Sequence, residues 1–254
     1  MLRTEIANRT VRNRILCNLD DEDFEALRPY LTLVELKRGT TIQNANTRLE
    51  HVHFIESGCL SRVARTQGGA LVEIASVGKF DFIGLGFALG TMISLHRAMV
   101  LIPGWALRID VNDLQKLIQE RPAIREHLLR YVQSLIVQKS QTALCNARHE
   151  LDQRLARWML LTHEQLEDDR LPVTQDLLAM ILCVRPASIS VVLAKFEAEG
   201  LIRRSRGSIE IIDRDALEQR TCECFGIIQQ AYNRLFPATA SAHAVARESH
   251  EHCY

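Results

Sequence analysis

The rhythm of apolar and polar positions changes twice along this chain. A short stretch from Asp20 to Arg28 reads as a helix ended by Pro29. From Leu31 to Ile109, short runs rich in Val, Ile, Leu and Phe are cut by Gly or Asn: LTLVELKRGTTI, HVHFIESGCLSRVAR, GGALVEIASVG and HRAMVLIPGWALRID. Closely spaced runs of this kind predict a small antiparallel sandwich or roll, with Gly39, Gly58, Gly68-Gly69 and Gly78 as turn candidates. From Val111 the period becomes helical and stays so past Glu164. Pro122 separates a short helix, Val111 to Glu120, from a long one. On the long helix Leu128, Val132, Leu135, Lys139, Thr142, Asn146 and His149 recur at alternating steps of four and three, a heptad seam that is apolar first and polar later. Such a seam is either one side of an ordinary bundle helix or a two-fold helix–helix interface. The interface is the reading preferred here.

The stretch from Pro172 to Asp213 is the most specific. Thr174 suits the N-cap of a helix from Gln175 to Leu182. Cys183 and Val184 make a turn, and Pro186 suits the first position of a second helix, where its missing N–H costs nothing. That helix stops at Gly200, a residue favoured just past a helix end. Ile189, Val192, Leu193 and Phe196 give it a core face, leaving Arg185, Ala187, Ser188, Ser190, Val191 and Lys195 outward or partly outward. After Leu201-Ile202 the run RRSRGSIEIID predicts a β-hairpin tipped by Arg203, Arg204, Arg206 and Gly207. Two short helices at a tight turn followed by a basic hairpin form a winged helix-turn-helix, which places one helix in the DNA major groove. Ser and Arg near a helix N-terminus suit phosphate and base-edge contacts, and a small residue such as Ala187 permits close approach. Thr174, Gln175, Arg185, Pro186, Ala187, Ser188, Ser190, Lys195, Arg203, Arg204 and Arg206 are the expected DNA contacts.

Bulk composition narrows the classes. The 254 residues fit one large or two modest domains, and 47% hydrophobic and 24% charged residues are ordinary for a globular protein. Formal net charge is zero, so a nucleic-acid contact must come from a local basic patch. No run of eighteen apolar residues exists, and the start lacks the apolar core of a secretory signal. Seven scattered cysteines fit a reducing cytoplasm better than a disulfide framework. No nucleophile elbow, phosphate-binding loop, H-E-x-x-H or dinucleotide fingerprint occurs, so no enzyme is expected.

The ordering resembles the Crp/Fnr family of bacterial transcription regulators, from about Cys17 to about Ala216. HFIESGCLS resembles the family's strand-turn-strand, VGKFDFIGLG the segment leading to its ligand pocket, and RLARWMLL the helix opening its DNA-binding domain. LLAMILCVRPASISVVLAKFEAEGLI resembles its helix-turn-helix and RRSRGSIEIID its wing. The resemblance implies an α+β chain: an N-terminal β-roll of the cyclic-nucleotide-binding type with flanking helices (residues 1–121), a dimerisation helix (122–148), a winged helix-turn-helix (149–220), and a C-terminal helix with a flexible tail (221–254). Leu128, Val132, Leu135, Lys139, Thr142 and Asn146 would form the dimer seam. Implied partners are double-stranded DNA, a second copy of the chain, RNA polymerase and an unidentified small-molecule effector, in the cytoplasm and away from membranes. The alternative is a ligand sensor acting through a protein partner, its winged helix serving only as a dock.

The departures from that family are chemical. Cyclic-AMP-binding members carry Gly-Glu after the FIG-type segment, the glutamate accepting the ribose hydroxyl, and an Arg that neutralises the cyclic phosphate. Here Gly84 is followed by Leu85, which cannot accept that bond, so cyclic AMP is not the expected effector. His96, Arg97 and Ala98 stand where the second pair would, and Gly84, Leu85, His96, Arg97 and Ala98 are the expected effector region. A loop pair without a ligand remains the other reading of His96 and Arg97. Pro186, Ala187 and Val191 occupy the base-reading positions of cyclic-AMP-binding relatives, so the target sequence should differ from theirs. Oxygen-sensing members ligate an iron–sulfur centre through an N-terminal cysteine cluster, and this N-terminus offers only Cys17. Cys222-Glu223-Cys224 supplies two thiolates, and zinc would need two more ligands from distant residues. His243, His250, His252 and Cys253 of the tail are available, but buried thiols at a helix end are the expected reading, with no metal and no cofactor. Cys183 stands in a turn where the family often has Gly.

Overall fold

A computed structural model describes residues 11–65, 67–69, 71–166 and 168–236. The tail from Pro237, with its histidines and Cys253, lies outside the described residues. Two short helices open the chain, α1 (Arg14–Cys17) and α2 (Asp21–Leu27), and Pro29 sits in the 3-10 turn Arg28–Tyr30 that follows. The strands come next: β1 (Thr32–Leu36), β2 (Thr41–Gln43), β3 (Thr47–Arg48), β4 (His51–Arg65), β5 (Leu71–Val77) and β6 (Phe82–Ile83). After the single-turn helix α3 (Leu85–Ala88) come β7 (Ile93–Ser94) and β8 (Arg97–Asp110). The main sheet runs β1-β8-β4-β5, with β2 on β8 and β6 on β4, and the recorded pairings are antiparallel. This is the expected roll.

Gly58 does not turn the chain. It lies within the single long strand β4, where the ladder with β8 slips between Ser57 and Cys59. Its φ is +81°, and a Cβ there would stand 2.6 Å from the Ile102 and Pro103 carbonyl oxygens. The Ser-Gly pair therefore makes a bulge at a close backbone approach rather than a hairpin.

The helical half consists of α4 (Val111–Glu120), α5 (Pro122–Arg148), α6 (Leu151–Gln165), α7 (Gln175–Leu182), α8 (Pro186–Ala198), α9 (Arg214–Gln219) and α10 (Cys224–Leu235). Pro122 opens α5 in the first turn, as its missing N–H permits. A capping box at Glu150 and Gln153 starts α6. Strand β9 (Arg170–Leu171) pairs with β11 (Ser208–Ile211), which pairs with β10 (Ile202–Ser205) to form the wing sheet.

Burial divides into a core between the roll and α5, centred on Phe54, Phe82, Leu128 and Tyr131, a roll interior around Ile55, Leu60 and Val100, and a winged-helix core around Leu193, Phe196 and Phe225. The first of these overturns part of the sequence reading of α5. Leu128 and Val132 are buried and Leu135 half-buried against their own roll. Lys139 Nζ donates to the Ile74 carbonyl on β5. Thr142 Oγ1 accepts from Arg157, and Asn146 Oδ1 from Arg154. Most of the seam face is engaged within the subunit, its apolar half against the roll and Thr142 and Asn146 with α6, though Asn146 stays exposed. The outward stripe lies one position along: Leu129, Gln133, Ile136, Ser140, Ala143 and Ala147, all exposed and at the same alternating spacing.

Candidate nucleic-acid interface and roll interior

The second helical pair is built as its residues dictate. Thr174 Oγ1 accepts the Leu177 amide and caps α7. Cys183 ends α7 in the left-handed region, at φ 54° and ψ 47°, which makes the turn a mildly strained one for a residue with a Cβ. Helices α7 and α8 then meet at 111°, within the range of a helix-turn-helix. Arg154 Nη2 donates to the Leu182 carbonyl and Nε to Asn146, so one guanidinium ties the end of α7 to the end of α5. Ile189, Leu193 and Phe196 are fully buried, whereas Arg185, Pro186, Ala187, Val191 and Lys195 are exposed. Val191 is 70% exposed, an apolar residue in the middle of an open face.

Several expected contacts are engaged inside the chain. Ser190 Oγ donates to Gln175 Oε1 at 2.8 Å, linking α8 to the start of α7. Lys195 Nζ pairs with Asp152 on α6 at 3.0 Å. Arg204 donates its Nε to Glu197 Oε2 at 2.7 Å and its backbone N–H to Oε1 at 2.9 Å. These bonds hold the Glu197 carboxyl below its usual range and staple the wing to α8. Arg204 is therefore a positioning residue. Arg203 makes a cross-strand pair with Glu210 at 3.2 Å, yet its side chain stays largely exposed. Arg206, at the tip beside Gly207 (φ 77°), is exposed, as is Arg170 on β9 beside the wing. The sequence reading missed Arg170, which β-pairing alone brings there. Arg185, Ala187, Ser188, Val191, Arg203, Arg206 and Arg170 thus form the open surface.

In the roll, Gly84 precedes α3 at φ 123°, and a Cβ would meet Val52 Cγ2 at 2.8 Å. Leu85 packs its side chain toward the apolar core. Arg97 is spent on Thr41, with Nε and Nη2 at 3.1 and 2.7 Å from Thr41 Oγ1, and Ala98 is buried. His96 is exposed, and partial burial of its ring with the Arg62 and Lys139 charges holds its pKa down. Gly84 and Leu85 lie beside Val52 near the start of β4, whereas Arg97 and Ala98 pair with Val63 and Arg62 near its end, and Arg97 is turned to β2 rather than free.

The roll interior contains polar groups that the sequence did not single out. Arg62 and Glu73 are buried on neighbouring strands. Ser61 and Ser76 donate to Glu73, whose carboxyl burial pushes up despite them. Lys139 lies against this group, its pKa lowered to about 8 by burial and by Arg62. Asp81, fully enclosed, is a second hub. Its Oδ1 accepts from the Tyr131 hydroxyl on α5 at 2.8 Å, and its Oδ2 accepts from the Gly78 amide at 2.8 Å and Gln165 Nε2 on α6 at 3.2 Å. One carboxyl thereby joins the roll to both helices leading to the winged domain. Beside it a cavity of about 300 Å³ opens between Phe80, Tyr131, Gln138, Glu164 and Tyr232. A second polar cluster brings Cys145 and His149 together with Cys222 and Cys224, so the partners of the Cys-x-Cys pair come from α5.

Comparison with known proteins agrees with both halves. The cyclic nucleotide-binding domain matches residues 33–121 and the Crp-like helix-turn-helix domain residues 153–220. FixK2 from Bradyrhizobium japonicum is similar in structure, with TM-score 0.66 and 14% identity over 76% of this chain and 98% of that one. A crp/fnr-family transcriptional regulator of Eubacterium rectale gives 0.62 and 18% over 81% and 96%. The c-di-GMP responsive regulator CLP of Xanthomonas campestris gives 0.62 and 16% over 76% and 99%. No curated protein matches the chain.

Proposed function

We propose that this chain, a Crp/Fnr-type transcription regulator with a cyclic nucleotide-binding domain and a helix-turn-helix DNA-binding domain, reads a near-palindromic duplex as a homodimer. The observation that carries the reading is the open face of α8. Its core side is sealed by Ile189, Leu193 and Phe196, while Arg185, Ala187 and Val191 stand in solvent beside the basic wing. Arg185 at the helix start suits a phosphate or a guanine edge, and Ala187 and Val191 suit thymine methyl groups. Arg206 and Arg203 flank the groove as charge neutralisers.

Dimerisation uses the outward stripe of α5. Leu129 and Ile136 are 37% and 61% exposed, Leu144 beside the stripe is 44% exposed, and the small Ser140, Ala143 and Ala147 permit close helix approach. A two-fold axis along this stripe sets two recognition helices about 34–36 Å apart, one DNA turn. Effector binding in the roll would act through Asp81, whose bonds to Tyr131 and Gln165 couple the roll to α5 and α6, shifting the population of DNA-competent dimers. Leu85 gives a ribose hydroxyl no acceptor and Arg97 is engaged with Thr41, so the effector differs from cyclic AMP.

Salt-dependent DNA binding is the test. Selection from random duplexes should yield a near-palindrome whose affinity falls steeply with salt, and Arg206→Ala should reduce the log–log salt slope by about 1. Binding that is absent at every salt and ligand condition would favour the protein-partner reading instead.

A further inference from the structure

The end of the long helix and the loop entering α10 meet at side chains far apart in sequence. Cys145 and His149 lie one helical turn apart on α5 and its C-cap, so they share a face. Cys222 lies between α9 and α10, and Cys224 is the first residue of α10. The Cys145 and Cys222 sulfurs are 3.5 Å apart across 77 residues, and Cys224 Sγ is 3.6 Å from His149 Nδ1. The four ligand atoms all lie within 4.8 Å of one another, and the three cysteines are buried.

We propose that Cys145, His149, Cys222 and Cys224 bind a single zinc ion. With Zn–S near 2.3 Å and Zn–N near 2.0–2.1 Å, a tetrahedron requires about 3.8 Å between thiolates and about 3.5 Å between thiolate and imidazole. The Cys145–Cys222 and Cys224–His149 separations, 3.5 and 3.6 Å, are close to those of a mononuclear site. An iron–sulfur cluster distributes its protein ligands over more than one iron and spreads them further. Two neighbours complete the chemistry. Glu223 Oε1 lies 3.3 Å from His149 Nε2, so the carboxylate favours the tautomer that keeps its proton on Nε2 and leaves the Nδ1 lone pair facing the sulfurs, the usual outer support of a metal-bound histidine. Arg157 stands beside Cys145, 5% exposed, with its Nε lacking a hydrogen-bond partner. Three thiolates around a divalent ion carry one net negative charge, which that guanidinium balances. On binding, the thiol protons leave to solvent as the sulfurs take the ion.

The site clamps a joint. His149 is where α5 gives way to α6, and Cys224 begins α10, which returns to pack on α5. Zinc there fixes the exit of the dimerisation helix against the last helix of the chain. The inference stands apart from the DNA-binding reading, because metal content is measured without DNA.

Full-length protein purified with a reductant and without chelator should contain about one zinc per chain. Cobalt(II) added to the stripped chain should give thiolate charge-transfer absorption and the intense visible bands of a tetrahedral ion. Cys222→Ser and Cys145→Ser should lose both signals. Cys17→Ser and Cys183→Ser should keep them. Glu223→Gln should retain the stoichiometry but weaken affinity by about 10–100-fold. Should a ligand variant fail to fold, the wild-type cobalt spectrum and stoichiometry decide alone. Zinc below about a tenth per chain without cobalt bands, iron with acid-labile sulfide, a Cys145–Cys222 disulfide in fresh reduced protein, or bands surviving Cys222→Ser would each overturn the site.

Discussion

The winged-helix core and the roll are stabilised by different means. Around Phe196 the packed cluster is apolar; Arg157 and Thr162 on α6 are its buried polar neighbours, and Lys195, Arg204 and Asp152 remain at the edge, where they pair. The roll and its contact with α5 instead enclose Arg62, Glu73, Asp81 and His53. An apolar core is rigid and indifferent to pH, which suits a module that must present one helix face unchanged. A core with enclosed titratable groups is less stable than its packing suggests, and its stability depends on pH. Under the proposed function, recognition falls to the first half and responsiveness to the second.

The largest way to break this division is Phe196→Ala. Phe196 is fully buried, and its truncation should cost about 3–5 kcal/mol. Two-probe denaturation should show the winged domain melting early while the roll transition persists; a single shared shift would mean that the halves fold as one unit.

The next effect is pH. His53 is buried with its Nδ1 unpartnered, and burial, then the charges of His51 and Arg108, lowers its pKa to about 3. The fold thus favours neutral His53. Its contribution is intact above the ordinary pKa of 6.5 and is lost as pH falls from there toward about 3, because the unfolded chain takes the proton first. Acid titration of stability should lose a few kcal/mol over that window, and His53→Leu should flatten the curve. An unchanged curve in the variant would remove the roll's proposed sensitivity.

Asp81→Ala should be milder, about 1–3 kcal/mol, since it leaves the Tyr131 hydroxyl and Gly78 amide without their acceptor. Its sharper signature is functional: DNA affinity should stop responding to whatever ligand the roll takes. The smallest effect belongs to the wing. Arg204→Ala should cost about 0.2–1 kcal/mol, as a half-exposed pair does, and shift the wing. Arg206→Ala should leave the melting temperature alone and change only the salt slope.

Particular residues show what could be read ahead of the structure. Thr174, Pro186, Gly200 and the Arg206-Gly207 tip act within a few residues of themselves, and each fell where its backbone chemistry required. The side of α5 did not. A heptad pattern reveals that Leu128, Val132 and Leu135 form a stripe but is silent on what covers it, and Leu129, Ile136 and Ala143 show the same spacing one position later. Arg204 and Lys195 look like free cations in sequence, because Glu197 and Asp152 reach them only after packing.

The sequence by itself determined the order of roll, long helix and winged helix, since apolar period, caps and turn residues are local properties of the backbone. Tertiary structure alone decided which face of α5 remains open, which arginines are engaged by carboxylates, and that Cys145 and His149 meet Cys222 and Cys224. Those outcomes depend on distances between residues tens of positions apart, which are fixed by how the apolar surfaces bury one another rather than by any short segment's preference.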